Sequence, residues 1–442
     1  MKKLKLQRIL AGVLALVLIG TFTACDNRNA GSINTDNSSK NNSDDEEIEF
    51  LVNPEDYRGT TVTYVTWRDP DANEDGPVID YFEEKYGIIV DVQLVDEGNY
   101  VNAISASIAS GTQGDIALVS DTFPGALKVM QPLDKAKINF DDPIWNRRII
   151  EASTLDGHPY LLDAYSNIWT ESGICLYNKK LFEDNNITSP AEYYEAGKWT
   201  FEAFRECAKQ IKALGKGYMG AEVVSEELLG AAGVGVFSYK DGKISPAIDN
   251  HFYEVMEFVA QMNADGYAEV GRTNFATGKY GMSITNCFAL KKTGYYSNMS
   301  PELIGATYLP TWEEGGTNYT SKLFRGWGLI KGAKNPEAAG IFLREYLDVN
   351  NYDLDYTFHS KELADFFFKV NSQENDAPFY YYSMGVYTAT GLGQAYHNNW
   401  QGTPPTQIRG FFEKNMNVIN NMANKATELI STEREWLKDN YK

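Results

Sequence analysis

The sequence has few of the residues that build several common classes of site. Its 442 residues include only 4 cysteines and 4 histidines, so it is not a disulfide scaffold, and no histidine spacing typical of a metal centre occurs. The 40 basic residues face 60 acidic ones, a formal net charge of −20, which disfavours nonspecific binding to nucleic acid or anionic lipid. With 43% hydrophobic and 13% aromatic residues, the composition predicts a folded, acidic body of two or three domains.

Motifs for catalysis are also missing. The chain has neither the G-x-S-x-G motif of a nucleophile elbow nor a GK[ST] phosphate loop, and Gly233–Gly235 and Gly391–Gly393 lack the third glycine of a dinucleotide fingerprint. The segment Asp71–Gly76 matches the first half of a calcium loop, but Phe82 stands where that loop needs a bidentate glutamate. We therefore interpret this segment as a polar turn that opens the next helix, with calcium binding at Asp71–Asp75 as the open alternative, and predict no catalytic residue, no cofactor and no metal. Paired carboxylates of a glycoside hydrolase stay an open alternative, because sixty acids offer many pairs.

The N-terminus predicts an export signal. Four basic residues, Lys2, Lys3, Lys5 and Arg8, precede the apolar run Ile9–Gly20, which is too short to span a bilayer of ~30 Å. Phe22-Thr23-Ala24-Cys25 follows and resembles a bacterial lipobox, although the lipobox more often has leucine at the position of Phe22. The resemblance implies a signal peptide over residues 1–24 and a lipid on Cys25. An ordinary secretory signal is the alternative.

The next segment predicts a tether. Residues 26–49 are rich in Asn, Ser and Asp, with seven acidic and two basic residues, and such a segment cannot bury enough apolar surface to offset its ordering entropy. We predict that residues 25–57 are the lipidated cysteine and a disordered tether. This places the body at the outer face of the bacterial cytoplasmic membrane. Three cysteines remain in the body, an odd number, so at least one is a free thiol.

The body shows strands that alternate with helices. Such alternation predicts an α/β fold with parallel strands joined by right-handed crossovers. Further along, Thr200 is predicted to cap a helix whose apolar face carries Phe201, Phe204, Ala208 and Ile211. The predicted strands are Thr61–Thr66, Ile88–Leu94, Asp115–Ser120, Gly173–Tyr177 and the pair Ile304–Leu309 and Trp327–Ile330, and the other predicted helices are Val78–Tyr86, Tyr100–Ser110 and Pro336–Leu347.

Polar and aromatic residues follow two of these strands. Trp67 and Arg68 come directly after the first strand, and Ser120 and Asp121 stand at the end of the third. Ligands of open α/β sheets bind at the carboxyl ends of the strands. An aromatic ring can stack on the C–H face of a sugar while charged groups bind its hydroxyls. The pattern predicts a polyol site, with packing of Trp67 in a helix–sheet crevice as the alternative.

A series of seven short motifs along the chain adds to this prediction. In order along residues 58–430 they are Tyr86-Gly87-Ile88, Gly114-Asp115-Ile116, Gly157-His158-Pro159-Tyr160, Leu176-Tyr177-Asn178-Lys179-Lys180-Leu181-Phe182, Trp199-Thr200-Phe201-Glu202-Ala203-Phe204, Phe275-x-x-Gly278-Lys279-x-x-Met282 and Asn335-Pro336-Glu337-Ala338-Ala339. In this order the chain resembles the extracellular solute-binding proteins of the maltose-binding type, which serve sugar ABC importers. The resemblance implies a two-lobed periplasmic-binding-protein-like fold, with parallel-rich sheets flanked by helices, a hinge of crossing segments and a ligand in the cleft.

The resemblance also implies boundaries and site residues. Lobe 1 is expected over residues 58–170 plus 303–355, and lobe 2 over residues 171–302 plus 356–442. Glu171 matches a sugar-contacting acid, and Phe288 matches a stacking aromatic that the family more often has as tryptophan. Trp199 is assigned to packing. Four more ligand contacts are placed by neighbourhood alone, with ordinary packing as the alternative: Trp169, Glu222, Trp327 and Trp400.

Together these features predict a monomeric, lipid-anchored receptor that captures a carbohydrate, an oligosaccharide, and delivers it to the permease of an ABC importer. The resemblance, with no catalytic motif beside it, favours binding over catalysis. Two alternatives stay open: a receptor for a peptide, a polyamine or a polyol phosphate on the same fold, and a surface glycoside hydrolase.

Overall fold

The computed structural model describes residues 48–120, 126–168, 172–240, 243–319, 325–372 and 402–441. From Glu49 onward the described residues belong to one compact unit. Its strands are β1 (Thr61–Thr66), β2 (Ile89–Leu94), β3 (Ile116–Ser120), β4 (Met130–Gln131), β5 (Thr154–Leu155), β6 (His158–Pro159), β7 (Gly173–Asn178), β8 (Met219–Val223), β9 (Phe237–Lys240), β10 (Lys243–Pro246), β11 (Ala268–Val270), β12 (Tyr280–Asn286), β13 (Ile304–Thr307) and β14 (Arg325–Ile330).

The α-helices lie between and after these strands. They are α1 (Gly76–Tyr86), α2 (Tyr100–Ser110), α3 (Ala126–Val129), α4 (Arg147–Ala152), α5 (Lys179–Asp184), α6 (Pro190–Glu195), α7 (Phe201–Ala213), α8 (Ser225–Ala231), α9 (Asn250–Ala264), α10 (Pro336–Tyr346), α11 (Leu354–Thr357), α12 (Lys361–Asn371) and α13 (Ile408–Asn440). None of the helices in the described ranges is both long enough and apolar enough to cross a membrane.

The first five-stranded sheet has the order β2-β1-β3-β14-β4. Strand β1 pairs in parallel with β2 and β3, as the alternation of strands and helices predicts. Strand β14 enters from much later in the chain and runs antiparallel to β3. Helices α1 and α10 cover one face of this sheet, where Phe82 and Phe342 contact each other with ring centroids 5.1 Å apart.

The second five-stranded sheet has the order β11-β8-β12-β7-β13. Strand β8 is parallel to β11 and β12, whereas β7 runs antiparallel to both β12 and β13. The two late strands predicted as a pair, Ile304–Leu309 and Trp327–Ile330, are therefore in different sheets. Strand β13 lies with the second sheet, which departs from the predicted start of a lobe 1 segment at residue 303.

Local sequence explains why these elements form where they do. Strand β1 is rich in β-branched residues that suit a pleated sheet, and it buries Val62 and Tyr64 on one face. Helix α7 begins at Thr200, whose side chain accepts a hydrogen bond from the backbone N–H of Ala203 at 3.2 Å. The predicted apolar face of this helix is buried, so the helix and its cap are confirmed. Trp199 is also buried and donates to the Tyr308 carbonyl at 2.8 Å, which confirms its role in packing.

Asp115, in the Gly-Asp-Ile motif, joins two segments of the chain at the amino-terminal end of strand β3 in the first sheet. Its buried carboxylate accepts from the backbone N–H of Thr63 at 2.9 Å, of Lys334 at 2.7 Å and of Asn335 at 2.8 Å. These bonds join β1 to the turn before α10 across more than 200 residues of sequence. The motif is therefore structural, at the sheet edge opposite the one where ligands bind.

The 33-residue helix α13 packs against elements of both sheets. Near its start, the ring of Phe412 lies 4.9 Å from the ring of Phe252 on α9, beside the second sheet. Near its end, the buried carboxylate of Glu433 accepts from the Tyr160 hydroxyl at 2.7 Å and pairs with the Lys331 ammonium at 2.8 Å, both beside the first sheet. The sequence predicts residues 356–442 as part of lobe 2. The contact of Phe412 agrees with that prediction, whereas the contacts of Glu433 lie beside the first sheet.

Candidate functional site

The carboxyl ends of strands from the two sheets meet at one place. Arg68 follows β1 of the first sheet, and Phe288 follows β12 of the second. The guanidinium carbon of Arg68 lies 5.9 Å from the centroid of the Phe288 ring, a distance at which a cation is attracted to the face of an aromatic ring. The structure therefore brings together two predicted site residues that stand 220 positions apart in the sequence.

Trp67 lies beside this contact and is half-buried. Its ring meets the ring of Tyr100 edge to face, with centroids 5.2 Å apart, and the Tyr100 hydroxyl donates to the carbonyl of Val65 at 2.6 Å. Trp67 packs on two of the three hydrophobic clusters, so one part of the indole is fixed by the core. The other part is accessible to solvent at the carboxyl edge of the first sheet.

Two residues that sequence reasoning missed, Tyr295 and Arg272, extend the Arg68–Phe288 contact on the side of the second sheet. These four side chains form one aromatic–guanidinium cluster. The ring of Tyr295 lies 5.1 Å from that of Phe288, and the Arg272 side chain donates to the Tyr295 hydroxyl at 2.8 Å. The Arg272 guanidinium also lies 5.2 Å from the Tyr295 ring centroid. Arg272 follows strand β11, so the rule that ligands bind at the carboxyl ends of strands could have found it.

Three charged side chains are buried near the cluster. Glu74 and Asp75 belong to the loop between β1 and α1, and Lys291 follows β12; they are 5%, 1% and 1% exposed. The Glu74 carboxylate lies 4.0 Å from the Lys291 ammonium and accepts from the Thr293 hydroxyl at 3.3 Å. The Asp75 carboxylate accepts from the Tyr346 hydroxyl at 2.7 Å. Burial raises the pKa of Asp75 to about 6, while the charge of Arg68 acts in the opposite direction.

Glu222 lies inside the second sheet and away from solvent. Its carboxylate accepts from the Tyr296 hydroxyl at 2.6 Å, from the Ser283 hydroxyl at 3.2 Å and from the backbone N–H of Asn274 at 2.7 Å. Burial and the nearby Glu222 carboxylate raise the pKa of Tyr296. Both carboxylate oxygens accept hydrogen bonds within the protein, and these contacts favour the alternative role of Glu222 in packing.

The remaining predicted contacts fall in the core or outside the described residues. Trp327, on β14, is fully buried and donates from its indole N–H to the Tyr64 hydroxyl at 3.2 Å, so it packs the first sheet. The backbone of Ser120 pairs with Arg325 at the end of β3. The other predicted residues lie outside the described ranges: Asp121, Trp169, Glu171, Trp400 and the lipidation residue Cys25.

The described residues offer no group of three or more His, Cys, Asp or Glu side chains that could hold a metal ion. Three cysteines in the described part of the body, Cys175, Cys207 and Cys287, are buried. Burial raises the pKa of the Cys207 thiol to about 12 and that of Cys175 in the same direction. A raised pKa leaves too little thiolate for nucleophilic chemistry at neutral pH.

Solved structures resemble this fold along most of the chain. The galacto-N-biose-/lacto-N-biose I-binding protein of an ABC transporter from Bifidobacterium longum aligns with a TM-score of 0.62 at 14% identity, over 86% of this chain and 97% of that one. The cyclic α-maltosyl-1,6-maltose binding protein from Arthrobacter globiformis aligns at 0.58 and 13% identity, over 85% and 98%. The sugar-binding protein MalE from Xanthomonas citri aligns at 0.54 and 14%, over 86% and 99%. At these identities the likeness establishes the fold, and the predicted two-lobed α/β architecture is confirmed.

A family assignment follows from the sequence itself. The search of curated proteins finds no match to the chain. The family model described as bacterial extracellular solute-binding protein matches residues 65–348, well over half of the chain. The matched segment begins in β1 and ends just after α10, so it contains the strand ends that carry Arg68, Arg272 and Phe288. The chain belongs to the bacterial extracellular solute-binding protein family.

Proposed function

We propose that the protein is a carbohydrate receptor of an ABC importer, tethered to the outer face of the cytoplasmic membrane by a lipid on Cys25. It captures a saccharide between the carboxyl edges of its two sheets, acts as a monomer and does not hydrolyse its ligand. The observation that carries the proposal is the alternation of guanidinium groups and aromatic rings from Arg68 through Phe288 and Tyr295 to Arg272.

The chemistry of this cluster suits a sugar. Aromatic faces pack on the C–H surface of a pyranose, while guanidinium N–H groups donate to ring and hydroxyl oxygens. Both sheets contribute, so a ligand held here contacts both lobes. Similar structures support the class of ligand, because their names give lacto-N-biose and cyclic α-maltosyl-1,6-maltose as bound sugars.

Ligand-dependent melting of the full chain tests the proposal. A panel of mono- and oligosaccharides is compared with polyamines, short peptides and polyol phosphates. A ligand at 100 times its dissociation constant adds about 2.7 kcal/mol to the free energy of unfolding, and product analysis of the same mixtures detects hydrolysis. A shift with one saccharide class and no product supports the receptor. A shift only with a polyamine, peptide or polyol phosphate keeps the fold and replaces the ligand, and released product makes the protein a hydrolase.

Variants then locate the site. Trp67→Ala and Phe288→Leu each remove a stacking ring, and we expect each to weaken saccharide binding about 2- to 12-fold, since aromatic packing contributes roughly 0.5–1.5 kcal/mol. Tyr356→Ala is the matched control, because Tyr356 is 62% exposed and lies outside the cluster. Isothermal titration calorimetry with the saccharide found by melting gives the dissociation constants. Unchanged affinity in both test variants contradicts the assignment of the site.

A further inference from the structure

Glu74 is buried, yet its charge is matched from the other sheet. It lies in the loop between β1 and α1, on the side of the first sheet. Within the described residues, the hydrogen bond and the ion pair of its carboxylate go to Thr293 at 3.3 Å and Lys291 at 4.0 Å. Both partners follow strand β12 of the second sheet. A buried carboxylate needs such compensation, because removing a charge from water is costly.

The loop that carries Glu74 is fixed by its own short-range bonds. Asp69 accepts from the backbone N–H of Asp71 at 3.0 Å, and the side-chain amide of Asn73 donates to the Asp69 carbonyl at 2.6 Å. Gly76 then allows the chain to pass close to Pro70, whose carbonyl oxygen would lie 3.0 Å from an added Cβ. These constraints turn Glu74 inward while Asp71 stays exposed.

The opposing segment is likewise fixed by short-range bonds, which it forms with helix α11 and the residue that follows it. Lys291 forms a backbone bridge with Phe358, and the neighbouring Lys292 ammonium donates to the Asp355 carbonyl at 2.6 Å. The Glu74 contacts therefore join two locally rigid segments, and separation of the lobes at this edge must break them. Separation also returns the Glu74 carboxylate to water.

We infer that Glu74, with Lys291 and Thr293, forms a latch across the cleft that sets the balance between open and closed forms. The inference rests on the proposed receptor function, since it concerns the closure of the cleft in which the saccharide binds. Glu74 is here a positioning residue: it holds the two strand edges at the spacing seen between Arg68 and Phe288. Because the closed form is the form that binds through both lobes, the latch also sets apparent affinity.

A distance measurement without any ligand tests the latch. Nitroxide labels are placed on the full chain at Glu84→Cys on α1 and Asn298→Cys beside the second sheet, both exposed positions, in a Cys25→Ser background. The cysteines of the body are buried and stay unlabelled in the folded protein. Pulsed electron–electron double resonance then gives the distribution of distances between the labels.

Two latch variants are compared with one matched control. Glu74→Gln removes the charge that faces Lys291, and Thr293→Val removes the hydroxyl that donates to Glu74, at an exposed position. Thr277→Val is the control, because its hydroxyl bonds locally to the Asn274 carbonyl at 2.7 Å. We expect each latch variant to raise the ratio of open to closed forms about 10-fold, the loss of one hydrogen bond or ion pair to a charged group, and the control to leave it unchanged.

The outcomes separate the latch from the proposed function. Label distances equal to those of the parent in both latch variants, with unchanged circular dichroism, overturn the latch. Longer distances in the Thr293→Val protein support it even where Glu74→Gln is too unstable to measure. The measurement contains no saccharide, so a failure of every sugar in the melting panel refutes the receptor without touching this result.

Discussion

The buried carboxyl of Asp75 provides a stability test that needs no ligand. Its side chain is 1% exposed and accepts one hydrogen bond, from the Tyr346 hydroxyl at 2.7 Å. The other carboxyl oxygen has no hydrogen-bond partner among the described residues. Burial outweighs the opposing charge of Arg68 and raises the pKa of Asp75 from its ordinary 3.8 to about 6.

The sign of the effect follows from proton binding. Between pH 3.8 and about 6 the folded protein holds the Asp75 proton, whereas the unfolded chain releases it. The folded state therefore binds more protons than the unfolded state, and the free energy of unfolding falls as pH rises through this window. The difference between the two pKa values corresponds to about 3 kcal/mol.

Asp75→Asn removes this dependence while keeping the size of the side chain and an acceptor for Tyr346. We expect the variant to differ from the parent by less than about 1 kcal/mol at pH 4, where the folded parent is protonated. At pH 7.5 we expect the variant to be more stable by up to about 3 kcal/mol, because the parent then carries a buried charge. Asp80→Asn, an exposed change on the adjoining helix α1, is the control, and we expect its stability relative to the parent to stay the same between pH 4 and 7.5.

Urea unfolding at several pH values measures the effect. The free energies of unfolding of the parent, Asp75→Asn and Asp80→Asn are compared at pH 4.0, 5.0, 6.0 and 7.5 by the linear extrapolation method. A difference between Asp75→Asn and the parent that is the same at every pH refutes the reasoning. It would mean that Asp75 is ionised in the folded protein throughout this range.

Two further predictions concern packing. Glu433→Ala removes the partner of the buried Tyr160 hydroxyl and of the partly exposed Lys331 ammonium. It is expected to lower the free energy of unfolding by about 1–3 kcal/mol, whereas the exposed neighbour Glu435→Ala is expected to change it little. Gly340→Ala places a Cβ 2.1 Å from the Ala136 carbonyl oxygen, so urea unfolding should show a destabilised protein. Gly410→Ala adds a methyl group in open space near the start of a helix, and a loss of stability there as large as at Gly340 would contradict the steric explanation.

The sequence predicts the local elements well and the strand partners poorly. The predicted first strand and the helix Tyr100–Ser110 have the observed bounds, because side-chain alternation and helical spacing are local properties. The pairing of β13 with β7, and of β14 with β3, joins segments more than 100 residues apart. Nothing in the short-range pattern of Ile304–Thr307 encodes which sheet receives it.

Residue type also does not tell which way a site residue faces. Trp327 and Trp67 look equivalent in the sequence, yet the indole of Trp327 is buried in a strand with both faces covered, while Trp67 follows a strand and lies at its open edge. Glu74 stands among acidic and polar residues typical of a solvated turn. Its burial depends on Lys291, a residue 217 positions away, and only the assembled fold brings the two together.

The loop between β1 and α1 therefore serves two roles at once. Its first residues, Trp67 and Arg68, lie in the proposed ligand site, and Glu74 joins the two lobes a few residues later. A ligand that binds both lobes and a latch that joins them stabilise the same closed form, so their free energies are coupled. By reciprocity, a substitution that weakens the latch also lowers saccharide affinity. The factor of this loss equals the factor by which the population of the closed form falls. The Thr293→Val protein should therefore bind saccharide more weakly although Thr293 lies outside the proposed aromatic–guanidinium site.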